Sequence, residues 1–482
     1  MLADQNSKNL DYDIIIIGSG PAGITLSLQL QNKNLKIALV ETGERYYSEN
    51  SQKYYKGKVK GEFPRRLDEA RLSMFGGTTG HWGGSCRTLD EHDFLKWPIK
   101  KKDLDIYREQ AAKIIKIKNS FKDESINKNL NIIEYQQSES YFPDDYYPRV
   151  VNSKNIHLFL QTTMIEMNGE NFFTSSIKCY SRINKNFFHL NGKIFILATG
   201  GIENSRILLL EEKRNKGLFS QNLPIGKYWF EHPFKILGQA IVDHERLKKN
   251  LNSSFDPWVN LFNAGDNSET YSFAPTYDLM NKEKISNSCC WLVTHERSYK
   301  NWKNVAKNLF CLTPNISKKI LKKFDKHLLC GATIYSTWEH EPEISNKIVL
   351  ADEKDEFENN KAMLIYKKSQ LVRKTARVMF EKIGELLIEK DLGRLIGEDF
   401  LYENDIDYNS EAGWHHMGGT RMGNNEKYSV VDNNLKIHGS KNLYVIGSSV
   451  FPTGGHANPT LSIIQLTLRL ERHLFKKLTS KI

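Results

Sequence analysis

Two stretches near the C-terminal end hold residues able to move a proton. Trp414-His415-His416-Met417-Gly418-Gly419-Thr420-Arg421-Met422-Gly423 offers two imidazoles, and Gly454-Gly455-His456-Ala457-Asn458-Pro459-Thr460 offers an amide beside a third. Imidazole titrates near neutral pH and suits a general base. An amide donates and accepts hydrogen bonds without competing as a base, which suits an orienting group. Neighbours in an extended segment point to opposite sides, so only one of His415 and His416 is expected to face a substrate.

A redox partner for that chemistry is written at the other end of the chain. Residues 12–17 form a short, isoleucine-rich apolar run, as a buried parallel strand requires. Gly18, Gly20 and Gly23 follow in G-x-G-x-x-G spacing, with Ala22 between. The first glycine permits a tight turn, the second lets backbone approach a pyrophosphate, and the third lets helix and strand pack closely. Pro21 stands in the first turn of a helix expected over 21–32, where its missing N–H does no harm. A second strand over 36–40 ends at Glu41, at the distance where a ribose hydroxyl would be bound. This unit reads as a dinucleotide site and leaves NAD and FAD both open.

Three more segments decide the cofactor by resemblance. They are Leu72–Gly84, with Gly76-Gly77-Thr78 and His81-Trp82-Gly83; Ile194–Leu209, with Ala198-Thr199-Gly200; and Leu443–Ile464, with Gly447-Ser448 and Pro459-Thr460. Together with Gly18–Gly23 and His415–Gly423, they resemble the glucose-methanol-choline oxidoreductases, an FAD-dependent family, and in particular its pyranose-oxidase-like bacterial branch. Residues 240–335 show little that matches.

The resemblance implies FAD, with the ring lying on the Gly76-Gly77-Thr78 loop near His81, Trp82 and Gly83. It places Ala198 and Gly200 at the adenosine side and the helix starting at Pro459-Thr460 against the ring. Many relatives carry Asp after the strand 443–446. Gly447 stands there instead, so backbone amides at Gly447 and Ser448 are expected to serve. His415 falls on the family's base and Asn458 on its partner position, for proton removal from an alcohol with hydride transfer to flavin N5. Pyranose oxidases bond a histidine in a similar setting to the flavin, and other relatives do not; both readings of His81 stand.

The expected fold is α/β: an FAD-binding Rossmann-like domain with a second α+β substrate domain on an antiparallel sheet. Residues 1–232 form the first part of the FAD domain, 233–410 the substrate domain, and 411–482 the remainder with the catalytic residues. Segments 345–350 and 362–366 read as paired strands and 371–390 as a helix. His92, His157 and His340 are expected to be structural. His232 is expected to support the flavin site or a domain junction, while His456 stands between the two roles.

Bulk properties narrow the setting. At 482 residues the chain exceeds one simple core. The net charge of +11 comes without a nucleic-acid recognition motif, so nucleic acid is not an expected partner. Six cysteines show neither C-x-x-C nor zinc spacing, so no metal is expected and a cytoplasmic, reducing setting fits. No apolar stretch is long enough to span a membrane, and the first apolar run enters the glycine loop rather than a cleavage site. Segment 300–330 is basic and amphipathic: either a peripheral contact with an anionic membrane, a lid, or a core-facing stripe under solvated lysines.

The function expected is oxidation of a small-molecule alcohol, a secondary hydroxyl of a sugar or glycoside, to a carbonyl. A non-sugar primary alcohol and a flavin-retaining lyase are the alternatives. The electron acceptor, whether oxygen, a quinone or a protein, is left open by the sequence.

Overall fold

A computed structural model describes residues 1–3, 9–31, 33–214, 216–242, 269–294, 332–403 and 411–479. The amphipathic segment 300–330 lies outside them, as do Cys311 and Cys330.

The isoleucine run becomes the strand Asn9–Ile17, with Ile14, Ile15, Ile16 and Ile17 all buried. It pairs in parallel with Ile37–Val40 on one side and Asn186–Leu197 on the other. Ile156–Phe159 extends the sheet beyond Ile37–Val40, again in parallel. The long strand Asn186–Leu197 serves two partners along one edge. Its first half pairs antiparallel with Phe173–Ser181, and its last three residues pair in parallel with Leu443–Val445. A continuous apolar run suits such a position, because both faces are covered. The helix Pro21–Leu30 follows the first strand and packs on the C-terminal helix Thr460–Thr479.

Two glycines set how closely this unit closes. A Cβ on Gly23 would lie 2.0 Å from the Gly18 carbonyl oxygen. A Cβ on Gly18, whose φ is +103°, would lie 2.5 Å from the Ala198 carbonyl oxygen. Helix, turn and neighbouring strand therefore approach to backbone contact, as the spacing predicts.

The second sheet is antiparallel and nine-stranded. Its order is Gly393–Gly397, Pro233–Val242, Ala332–Trp338, Ser288–Thr294, Glu269–Pro275, Leu130–Gln137 and Ser85–Cys86, with Glu411–Ala412 and Asp123–Ser125 attached at its sides. It thus draws strands from ahead of residue 232 and from beyond residue 410. The helix Gln370–Glu389 lies on it, capped by Ser369, whose Oγ accepts from the Leu371 amide at 3.1 Å. Val372, Ala376, Met379, Ile383 and Leu387 recur at helical spacing and share one core with Leu237, Phe273 and Ile334 of the sheet. Lys347–Lys354 and Asn360–Tyr366 pair antiparallel, and Lys58–Gly61 joins the latter in parallel. The molecule is thus α/β, with a dinucleotide-type domain and a second domain on an antiparallel sheet.

Replacing Gly23 with Ala is expected to destabilise the protein by about 3 kcal/mol or more, because the added methyl meets backbone rather than a side chain that can move. Thermal unfolding checks this; an unchanged Tm contradicts the packing described.

Candidate active site

The parallel strands end together, and strand order reverses between Asn9–Ile17 and Asn186–Leu197. Open α/β sheets bind ligands at that switch point. A cavity with about 1120 Å³ of empty space, open solvent included, lies there. Gly18, Gly20, Ala22 and Glu41 border it from the first strand–turn–helix unit. Gly77, Thr78, Trp82 and Gly83 border it from the glycine-rich loop, and Ala198 and Gly200 from the second strand-to-helix turn. His415, Gly447, Ser448, Asn458, Pro459 and Thr460 close it from the C-terminal segments. A further cavity, of about 720 Å³, shares Gly18, Glu41 and Thr199 with the first and continues it past Val40 and Thr162.

Three residues of the sequence reading stand off this wall. Gly23 does its work beneath it. Gly76 donates its amide to the Ser19 carbonyl at 2.8 Å and so fastens the loop to the first turn. His81 is exposed, its ring 5.5 Å from that of Trp414.

The wall suits a flat, anionic dinucleotide. Cβ atoms built on Gly20, Gly83, Gly200 or Gly447 would meet nothing within 4 Å, so bare backbone faces open space at four points. Three helices, Pro21–Leu30, Gly200–Arg214 and Thr460–Thr479, begin at residues of the wall. Their unpaired N-terminal amides favour phosphate and other negative charge. Asn204 ties two of the turns together: its Oδ1 accepts from the Thr199 amide at 2.9 Å, and its Nδ2 donates to the Ile446 carbonyl at 3.1 Å. Glu41 is buried and already accepts from the Ser19 amide at 3.0 Å, the Ser19 hydroxyl at 2.8 Å and the Gly43 amide at 2.7 Å. Burial raises its carboxyl above the ordinary range against the pull of those bonds. It therefore braces the glycine turn as well as facing the cavity.

His415 and His416 diverge as an extended segment requires. An antiparallel bridge between Phe230 and Met417 sets the register. His415 then lies beside His232, with Nδ1 atoms 2.9 Å apart and rings nearly perpendicular. His416 turns the other way, toward Phe63 and Trp229, and its Nε2 has no hydrogen-bond partner. Its carbonyl accepts from Ser448 Oγ at 2.6 Å, and only a glycine at 201 leaves that carbonyl room, since a Cβ would come within 2.2 Å. Burial pushes His415 down to about 4 and His416 to about 3. His232 is pushed well down, first by burial and then by His415 and His456. Asn458 spends one N–H on the Ser85 carbonyl at 2.8 Å, leaving its other N–H and its Oδ1.

Sequence reasoning missed Tyr55, Arg71 and Trp414, all of which border the cavity. Arg71 is buried, paired with Glu203 at 3.1 Å and bonded to the Tyr55 carbonyl at 3.1 Å. Its only sequence signal is its place just ahead of the Gly76-Gly77 loop. Trp414 has a φ of +59°, unusual for a bulky residue, and no local pattern announces it.

Comparison with known proteins agrees with this geometry. Residues 342–467 match the GMC oxidoreductase family model, and residues 13–52 match that of an FAD binding domain. The chain is 24% identical over 280 residues to the fructose dehydrogenase large subunit of Gluconobacter japonicus, covering 58% of this chain and 46% of that protein. It is 24% identical over 307 residues to a 2-methyl-1,2-propanediol dehydrogenase of Mycolicibacterium austroafricanum, covering 60% and 49%. The chain thus spans about half the length of these curated relatives. Its fold is similar to that of formate oxidase, with a TM-score of 0.57 at 14% identity over 98% of this chain and 100% of the other. No helix among the described residues is long and apolar enough to cross a membrane.

Gly20→Ala is expected to fold with an unchanged Tm as apoprotein yet to purify with little flavin, since its methyl enters only the space a pyrophosphate would fill. Flavin content per chain measures this, and full loading contradicts the placement.

Acid should destabilise the apoprotein. His415 and His416 are neutral when folded and titrate near 6.5 when unfolded. Between those values the unfolded chain binds more protons, so the stability present above pH 6.5 is lost as pH falls toward about 4. Exchanging His416 for Phe is expected to flatten that fall in Tm, and an unchanged slope argues against a neutral His416.

Proposed function

The chain is a GMC-type flavoprotein, and on that premise we propose that it oxidises an alcohol to a carbonyl, with a secondary hydroxyl of a sugar or glycoside as the favoured substrate. His415 is the general base and Asn458 the orienting group. One observation carries this reading: His415 and Asn458, from separate C-terminal segments, border the same cavity as the Gly18–Gly20 turn. FAD, when bound, supplies the hydride acceptor.

The residues of the chain divide the remaining work. Burial keeps His415 unprotonated across neutral pH, so it meets the substrate ready to take the hydroxyl proton. His232 holds the imidazole from one side through the contact between Nδ1 atoms, which leaves Nε2 as the nitrogen that receives the proton. This requires the shared hydrogen to sit on His415 Nδ1, pointing at His232. Asn458 is fixed by Ser85, and its remaining N–H and Oδ1 hold the substrate oxygen in line with His415. The likeness to a fructose dehydrogenase supports the sugar reading. The likeness to a 2-methyl-1,2-propanediol dehydrogenase supports a second reading, a small non-sugar alcohol.

Anaerobic addition of a panel of sugars and simple alcohols should bleach the flavin absorbance with at least one of them. Product formation without bleaching supports a lyase instead. His415→Ala should lose roughly 10²–10⁴-fold in turnover while keeping its flavin, the range a general base contributes. Normal turnover in that variant refutes the assignment.

A further inference from the structure

We propose that His456, clamped between Asp90 and Tyr135, is a positioning residue that sets Asn458 toward the bound flavin; the inference rests on the function proposed above. His456 is buried, two residues ahead of Asn458 in the loop that leads into the C-terminal helix. Its Nε2 lies 3.2 Å from Asp90 Oδ2. Its Nδ1 lies 2.6 Å from the Tyr135 hydroxyl, and that hydroxyl also donates to the His456 carbonyl at 3.0 Å. One phenol thus grips both the side chain and the backbone of residue 456.

The same strand pair fixes Asn458. Tyr135 belongs to Leu130–Gln137, which pairs antiparallel with Ser85–Cys86. Ser85 supplies the carbonyl that accepts from Asn458 Nδ2 at 2.8 Å. Residues 456 and 458 are therefore held to one small patch of the second sheet. Upstream, the amides of Gly454 and Gly455 both donate to Glu339, at 2.9 and 3.3 Å. A loop pinned at every second residue has one conformation, and the amide it carries has one direction.

The clamp is built for charge. Asp90 is itself held: Arg87 reaches its Oδ1 at 3.2 Å, and Asn287 Nδ2 donates to its Oδ2 at 3.0 Å. Arg87 also bonds Asp123, and a third carboxyl, Asp93, shares Asn287 and is raised to about 8 first by burial and then by Asp90. Burial opposes a charge on His456, and Asp90 and Cys289 outweigh it, so the imidazole is pushed up to about 10. It stays protonated, with Nδ1 donating to the Tyr135 hydroxyl and Nε2 at ion-pair distance from Asp90. This separates it from His232 and His415, which lack a carboxylate and are held neutral.

The test reads the flavin itself. Hydrogen bonds near the ring tune its potential, so Asn458→Ala should shift the midpoint potential of the holoenzyme, measured by dye equilibration during enzymatic reduction. Tyr135→Phe removes the grip but leaves the charges of Asp90 and His456 in place. It should shift the potential in the same direction as Asn458→Ala, by about half or more. Tyr135→Phe combined with Asn458→Ala should equal Asn458→Ala alone, as expected of groups acting through one another. Summed shifts in the double variant, or no shift in Tyr135→Phe beside a clear one in Asn458→Ala, overturn the inference and leave the proposed reaction standing. No shift in Asn458→Ala removes Asn458 from the flavin and overturns the inference, while the proposed reaction is decided separately by the turnover of His415→Ala. His456→Gln, where it folds, separates charge from position: a potential shift that persists in the Asn458→Ala background reports the imidazolium's own field and overturns a purely positional role.

Discussion

The site depends on a row of backbone hydrogen bonds where parallel strands stop. Gly18 donates to the Val40 carbonyl at 2.8 Å, Ala198 to Ile17 at 2.7 Å and Ile446 to Leu197 at 2.8 Å. These bonds align the ends of strands that lie far apart in sequence. Each strand then releases its chain into a turn at one level: Gly18–Gly20, Thr199–Gly200 and Gly447–Ser448. The glycines matter because the turns must both crowd one another from behind and leave bare backbone in front. Gly18 and Gly23 meet the first demand, and Gly20, Gly200 and Gly447 the second. The three helices that follow inherit their aim from this alignment rather than from any feature of their own.

What was legible in the sequence was what is local. The strand over 12–17, the turn after it, the helix from Pro21 and the strand before Glu41 lie within one continuous stretch, and the structure has all four. So was the helix over 371–390, whose apolar stripe survives as a packed face. The divergence of His415 and His416 followed from alternation alone. Pairing between distant segments was not legible, because hydrophobic pattern says that a strand is buried without saying beside what. Nothing in Leu130–Gln137 announces that it joins Glu269–Pro275 rather than the parallel sheet. For the same reason the meeting of His232 with His415 was invisible: it arises from the register set by Phe230 and Met417, between segments that no motif connects. Glu41 borders the cavity, and its bracing of the glycine turn through Ser19 and Gly43 was not legible in the spacing.

The buried histidines illustrate how neighbours assign protonation. His416 sits among aromatic rings with no acceptor for a second proton. His415 has another imidazole for company, which gains nothing from sharing a positive charge. His456 has a carboxylate that arginine and asparagine hold in place. Burial opposes charge in all three, and the partner decides the outcome. Glu231 follows the same rule from the other side. It is fully buried, neither oxygen has a hydrogen-bond partner, and its carboxyl is raised well above the ordinary range, so it stays uncharged.

The contribution of Leu443–Val445 and the C-terminal helix to the crevice has a consequence for biogenesis. During translation the first sheet can assemble four of its parallel strands while the fifth is still being polymerised. At that stage the crevice lacks the wall formed by Gly447, Ser448, Asn458, Pro459 and Thr460. A nascent chain can therefore hold the dinucleotide only loosely, and tight capture waits until the ribosome has delivered the final helix. Loading with cofactor is accordingly a late event in maturation, and truncation between residues 440 and 460 forfeits it even where the preceding strands have folded.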